Sequence, residues 1–276
     1  MWLRIASGVV LAPLLLALVL WGPLWVIALV ILTAGILSAN EMLRMLLQGH
    51  ASRHRDAWVG MVATGAIIAA AAAAGTEGMW IATLIAGPTA MSLFVLRPGD
   101  ISTVGQRLSA VLACLAYIGM LFATIALHLD LGASVRPDLG PDAGRHALMM
   151  LFLTVWLGDT LAYFVGKSIG KHKLHPIVSP KKTWEGAFGG ALGSIGGVFL
   201  TAHLFDLTIP VALAIGLGTA VAITEQFGDL CESLFKRSMG VKDSGSLIPG
   251  HGGVLDRLDG LVFAAPVVYL TFRFLL

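Results

Sequence analysis

Residues 225–260 read EQFGDLCESLFKRSMGVKDSGSLIPGHGGVLDRLDG. This stretch holds six of the chain's 16 acids, Glu225, Asp229, Glu232, Asp243, Asp256 and Asp259, with Lys236, Arg237, Lys242 and Arg257 among them. In a chain that is 57% hydrophobic, charge at this density calls for a use. Glu225, Asp229, Glu232 and Lys236 recur at helical spacing and predict one polar face of an α-helix. Ser244-Gly245-Ser246, Pro249-Gly250 and Gly252-Gly253 interrupt it with turn chemistry, since glycine tolerates positive φ and proline lacks an N–H. Beyond the turn, Asp256 and Asp259 are three apart, which puts both carboxylates on one face at the start of the last apolar run. Two acid-bearing helix ends thus flank a glycine loop, with cations between them. Carboxylates that gather hard divalent cations, beside Lys and Arg that hold phosphate oxygens, suit phosphoryl or nucleotidyl transfer. The same residues could instead form a solvated loop whose acids and bases pair with one another.

Outward from this loop the chain is apolar. Its 276 residues have a mean hydropathy of +0.86, and only 12% are charged. Runs near the ~20 residues that span a bilayer fall at about 3–20, 23–39, 57–75, 79–96, 108–128, 147–165, 186–204, 208–225 and 260–276. The expected fold class is an all-α, polytopic integral membrane protein of about nine transmembrane helices. Residues 1–276 are expected to form one membrane-embedded domain, with N-terminal helices over 1–130 and catalytic helices and loops over 147–276. With the N-terminus in the cytoplasm, 15 of the 18 Lys and Arg fall on cytoplasmic segments. Only Arg136, Arg145 and Arg273 fall outside, an asymmetry that places the charged loop in the cytoplasm; the Ala-rich composition and compact size fit a bacterial inner (plasma) membrane. The basic 40–56 loop, with Arg44, Arg53, His54 and Arg55, can lie on anionic headgroups or serve topology alone. Cys114 and Cys231 form no metal or disulfide pattern.

A second polar stretch, 156–186, reads WLGDTLAYFVGKSIGKHKLHPIVSPKKTWEG. Asp159 sits inside an apolar run, where an acid is costly and faces a cavity or a partner; it can share a helix face with Thr160 and Tyr163. Ser179-Pro180 predicts an N-cap with proline at the first helical position, and hence Lys181 and Lys182 in a helix's first turn. Cations there oppose the helix dipole unless an anion is near, which favours a bound phosphate. Gly166-Lys167-Ser168 is no Walker A motif, because Leu161 stands where its first glycine is needed. No convincing strand is evident. Gly189, Gly193 and Gly197 form a double GxxxG, a device for close helix packing in the core or at a dimer interface. Trp21, Trp25, Trp58, Trp80 and Trp184 lie near predicted span ends, as interfacial anchors do.

The pattern Ser233-Leu-Phe-Lys236-Arg237, Lys242-Asp243-Ser244, Pro249-Gly-His251-Gly-Gly253 and Leu255-Asp256-Arg257-Leu-Asp259 resembles the signature of the phosphatidate cytidylyltransferases. The resemblance extends over about 27 residues with spacing intact, and departs at Gly260, where the family commonly has Ser. Ser179 to Gly186, with Asp159 upstream, resembles the same family. The resemblance implies transfer of CMP from CTP to phosphatidic acid, giving CDP-diacylglycerol and pyrophosphate with Mg²⁺; a second metal ion stays open. On this basis Asp229 and Asp256 are expected metal ligands, and Asp243 and Asp259 further ligands or orienting groups. Lys236, Arg237 and Lys242 are expected catalytic residues that hold phosphates of CTP or lipid. Ser179, Lys181, Lys182, Gly250, His251, Gly252, Gly253 and Arg257 are expected to bind substrate phosphate, and Asp159 to shape the cavity. Membrane lipids and a second copy, as a homodimer, are the expected partners, and nucleic acid is not. Two alternatives remain: a CTP-dependent transferase with another lipid phosphate acceptor, and a transporter, against which stand the clustering of the acids in one loop and the lack of an internal repeat.

Overall fold

The computed structural model describes residues 2–247 and 252–276. Nine α-helices are described: α1 (Trp2–Trp21), α2 (Leu24–Leu46), α3 (Arg53–Leu96), α4 (Val104–Cys114), α5 (Met120–Leu127), α6 (Ala143–Ile169), α7 (Trp184–Leu204), α8 (Val211–Ser238) and α9 (Leu255–Phe274). Among the described residues, six helical stretches are long and apolar enough to cross a membrane: Leu24–Leu46, Arg53–Leu96, Ile101–Asp130, Ala143–Ile169, Trp184–Leu204 and Val211–Ser238. The chain is an all-α polytopic membrane protein, although six such stretches do not establish nine crossings. The two runs expected at 57–75 and 79–96 lie in the single element α3. Helical geometry breaks there at Ala74 and Gly75, and Gly75 takes φ +60°, a left-handed value that favours glycine. The chain divides into two compact units, residues 1–130 with 239–257, and residues 131–238 with 258–276.

In the first unit, α2, α3 and α5 pack around Met42, Leu43, Ile67, Ile68, Ile118 and Phe122, all nearly or fully buried. A π-helical turn, Leu115–Gly119, joins α4 to α5. Beside this core lies a polar knot. Arg107 Nη1 sits 2.7 Å from Asp56 Oδ2, with side-chain exposures of 1% and 0%. Arg107 also donates to Ser52 Oγ, Thr103 Oγ1 and the carbonyls of Pro98 and Asp100. Arg107 was legible in the sequence only as a topology marker; in the fold it is a satisfied buried cation.

In the second unit, α6 and α7 approach so closely that their contact needs glycine. A Cβ at Gly189 would lie 2.7 Å from Val165 Cβ, and one at Gly197 would lie 2.7 Å from Thr154 Cα. Gly193 faces Leu157 in the same seam. The double GxxxG therefore serves packing within the chain. Apolar side chains such as Phe188, Leu192 and Phe227 point outward and are exposed, as lipid-facing residues are. The five tryptophans named above are exposed too.

One expectation fails between α6 and α7. Residues Lys173–His175 (β1) and Ser179–Thr183 (β2) form an antiparallel hairpin. Ser179 is thus the first residue of a strand and not an N-cap, and Lys181 and Lys182 lie in that strand and not in a helix's first turn. Thr183 is the true N-cap of α7, its Oγ1 accepting from the Gly186 N–H at 3.1 Å. The hairpin prevails because Glu185 accepts from the backbone N–H groups of Lys171 and His172 and meets His172 Nδ1 at 2.7 Å. The Trp184 N–H, for its part, donates to the His172 carbonyl.

Candidate active site

The second unit builds a cavity of about 430 Å³ from α6, β2, α7 and α8. Helix α6 contributes Asp159, Tyr163 and Lys167, strand β2 contributes Lys181 and Lys182, and α8 contributes Gln226 and Asp229. Asp159 and Tyr163 share a face as their i, i+4 spacing predicts. Lys182 Nζ meets Asp229 Oδ2 at 2.7 Å, and Ser233 Oγ donates to Asp229 Oδ1 at 3.3 Å. Lys167 Nζ lies over the Tyr163 ring, 5.5 Å from its centroid. The cavity therefore presents three ammonium groups and two carboxylates, the balance that a bound polyanion with a cation requires.

Beneath Asp159 and Asp229 the acids continue inward. Glu225, on the same α8 face, is buried, with Asp159 and Asp259 close to it. Asp259 in turn neighbours Asp229, Asp159 and Lys236. Glu225 Oε2 is buried without a hydrogen-bond partner among the described residues. Glycine makes room for it: a Cβ at Gly158 would lie 2.9 Å from Oε2, and one at Gly260 would lie 2.8 Å from Glu225 Cγ. The Gly260 position, noted as a departure from the family pattern, thus abuts the buried acid. Further along α8, Lys236 is ion-paired with the buried Glu232, and Arg237 is exposed.

An apolar cavity of about 450 Å³ adjoins the polar one. Ala187 and Gln226 line both. Its other walls include Trp184, Phe188, Ile223 and Phe227. A polar cavity that opens beside a greasy one suits a ligand with a phosphate head and a hydrocarbon body.

The glycine loop is organised in the first unit. Asp256 Oδ2 accepts from the backbone N–H groups of Ser244 at 2.9 Å and Gly253 at 2.8 Å. A Cβ at Gly252 would lie 2.7 Å from that oxygen and 3.7 Å from Asp243 Cβ; with φ at +84°, only glycine fits. Glu41, near the end of α2, went unnoticed in the sequence. Its buried carboxylate accepts from Ser244 Oγ at 3.1 Å, the Val254 N–H at 3.0 Å and the Leu255 N–H at 2.9 Å. It caps α9 where the helix dipole favours an anion. Lys242, Asp243 and Arg257 are exposed. Gly250 and His251 lie outside the described residues.

A divalent ion fits one mode of binding here. Among the described residues, no three His, Cys, Asp or Glu side chains converge as an all-protein cage. Mg²⁺ is commonly held by one or two carboxylates plus substrate phosphates and water, and the half-exposed Asp229 on the cavity wall suits that role.

Fold and site together define a polytopic membrane protein with a cavity lined by lysines and aspartates beside an apolar one. The chain belongs to the cytidylyltransferase family, which it matches over residues 2–275. It is 46% identical over 125 residues to a phosphatidate cytidylyltransferase of Staphylococcus aureus (strain COL), covering 45% of this chain and 48% of that one. It is 49% identical over 131 residues to a phosphatidate cytidylyltransferase of Brucella abortus biovar 1 (strain 9-941), covering 46% and 47% of the two chains. The chain thus spans about half the length of the curated relatives it matches.

Proposed function

We propose that this protein is a phosphatidate cytidylyltransferase, joining CTP and phosphatidic acid into CDP-diacylglycerol and pyrophosphate in phospholipid biosynthesis. The observation that carries this reading is the polar cavity of Asp159, Lys167, Lys181, Lys182 and Asp229 with an apolar cavity at its side. A lipid phosphate fits the first and its chains fit the second. An oxygen of the phosphatidate phosphate attacks the α-phosphorus of CTP, a new P–O bond forms, and the bond to the β-phosphate oxygen breaks to release pyrophosphate. The attacking phosphate is already ionised near neutral pH, so no general base is needed. The chain's task is to hold two polyanions in line against their repulsion.

Lys181, Lys182 and Lys167 offset that charge on the cavity wall. Asp229 orients Lys182 through their ion pair and is the proposed ligand for Mg²⁺. Asp256 is proposed as a ligand too, on its place in the sequence alone, with Asp243 and Asp259 in support. Mg²⁺, when bound, supplies charge neutralisation on the phosphates of CTP. Lys236 and Arg237 at the end of α8, Lys242 in the glycine loop and Arg257 at the start of α9 are proposed to meet substrate phosphates. The distribution of Lys and Arg supports cytoplasmic loops, and the Ala-rich composition and compact size support a bacterial inner membrane. Assembly as a homodimer rests on the family resemblance.

Lys182→Gln tests the assignment. It keeps the strand and removes the charge that faces Asp229. Loss of one such contact is worth about 10²–10³ in turnover, so kcat/KM should fall about a hundredfold, while Arg145→Gln, in the loop-side turn of α6, keeps full activity. Equal kcat/KM for the Lys182 variant and the natural chain would remove this cavity from the reaction.

A further inference from the structure

The turn between α2 and α3 carries a second constellation that the proposed reaction does not use. Arg44 lies in the last turn of α2, and Arg53 and His54 open α3. With Asn40, Trp58 and Met61 they line a cavity of about 410 Å³. Arg44, Arg53 and His54 are exposed, and no carboxylate pairs with them among the described residues. The nearest acid in sequence, Asp56, is taken up by Arg55 and Arg107. Cations in the first turn of a helix oppose its dipole, so Arg53 and His54 stand where an anion is wanted.

Trp58 also lines an apolar groove of about 720 Å³. The groove runs between the two halves of α3, with Val62 and Ala66 on one wall and Ile81 and Ile85 on the other. Its neighbourhood to the basic cavity fixes the chemistry of an occupant: negative at one end, hydrocarbon along the rest. We propose that the first unit holds an anionic phospholipid, its phosphate between Arg44, Arg53 and His54 and an acyl chain in the groove beside Trp58. This is a lipid site apart from the Lys182–Asp229 cavity, and a lipid held there would tie the α2–α3 turn to the charge of the membrane surface.

The test reads binding and not turnover, so its failure is distinct from failure of the proposed reaction. The full chain in detergent is titrated with phosphatidylglycerol brominated on its acyl chains, and separately with brominated phosphatidylcholine. Quenching that Trp58→Phe abolishes reports the groove. Phosphatidylglycerol should quench this component at about one-tenth the concentration that phosphatidylcholine needs. Removing both charges with Arg44→Gln and Arg53→Gln should weaken phosphatidylglycerol about thirtyfold, at roughly a decade or less per cation, while Lys182→Gln retains it. Equal quenching by the two lipids, or no change on charge removal, would overturn the proposal. Displacement by glycerol phosphate at concentrations equal to the lipid would assign a headgroup site without the groove, and would overturn it as well.

Discussion

Replacing Glu41 isolates what one buried carboxylate does for the glycine loop. The side chain is 7% exposed and accepts three hydrogen bonds of 2.9 to 3.1 Å, from Ser244, Val254 and Leu255. In Glu41→Ala these donors lose their acceptor. The half-buried Ser244 hydroxyl can turn to water, whereas the two backbone N–H groups at the start of α9 are held in place. Each buried donor left unpaired costs about 1–3 kcal/mol, so the loop should lose about 3 kcal/mol of local stability. That is roughly a hundredfold rise in its opening equilibrium. Glu41→Gln keeps one oxygen and turns an amide NH₂ toward a donor, and should fall between. Hydrogen exchange measures this directly, because protection of an amide reports local opening. Amides of residues 252–257 should exchange about a hundred times faster in Glu41→Ala, while those around Ile67 and Ile68 stay unchanged. Unaltered exchange at Val254 and Leu255 would refute the capping role. A uniform rise across α3 would mean that Glu41 holds up the whole unit and not the loop.

Two further substitutions probe the framework. Asp56→Ala strands Arg107 at 1% exposure and should cost about 3–5 kcal/mol, seen as a marked fall in the thermal midpoint in detergent; Asp56→Ala with Arg107→Leu should recover much of it. Gly260→Ser places a Cβ 2.8 Å from Glu225 Cγ, so the acid must shift, at about 1–3 kcal/mol for overpacking; a midpoint equal to that of the natural chain would show that Glu225 moves aside without strain.

The sequence carried the local signals well and the distant ones poorly. The i, i+4 spacing of Asp159 and Tyr163 put both on one cavity wall, and the glycines of α7 announced a close seam before its partner helix was known. The polar face of Glu225, Asp229, Glu232 and Lys236 belongs to one continuous helix, as its period implied. Lys181 and Lys182, expected to hold phosphate from a helix's first turn, line the polar cavity from a strand instead. Ser179-Pro180 has the chemistry of a helix start, but Thr183 caps α7 locally, and the bonds of Glu185 to Lys171 and His172 close only when the chain folds back. Glu41 was missed because hydropathy ends the second apolar run at about residue 39, and its partner Ser244 lies 203 positions away. For the same reason the approach of Asp159 and Asp259 to the Glu225 and Asp229 face was not visible.

The most direct measurement is turnover by the purified chain in detergent, with labelled CTP, Mg²⁺ and phosphatidic acid, following lipid-linked CMP and pyrophosphate together. The account predicts the two products in equal amounts, and their loss in Asp229→Asn, which keeps the side chain's shape and removes its charge. Acceptance of another lipid phosphate in place of phosphatidic acid would contradict the proposed acceptor. Absence of CTP turnover with every lipid phosphate would contradict the proposed reaction itself.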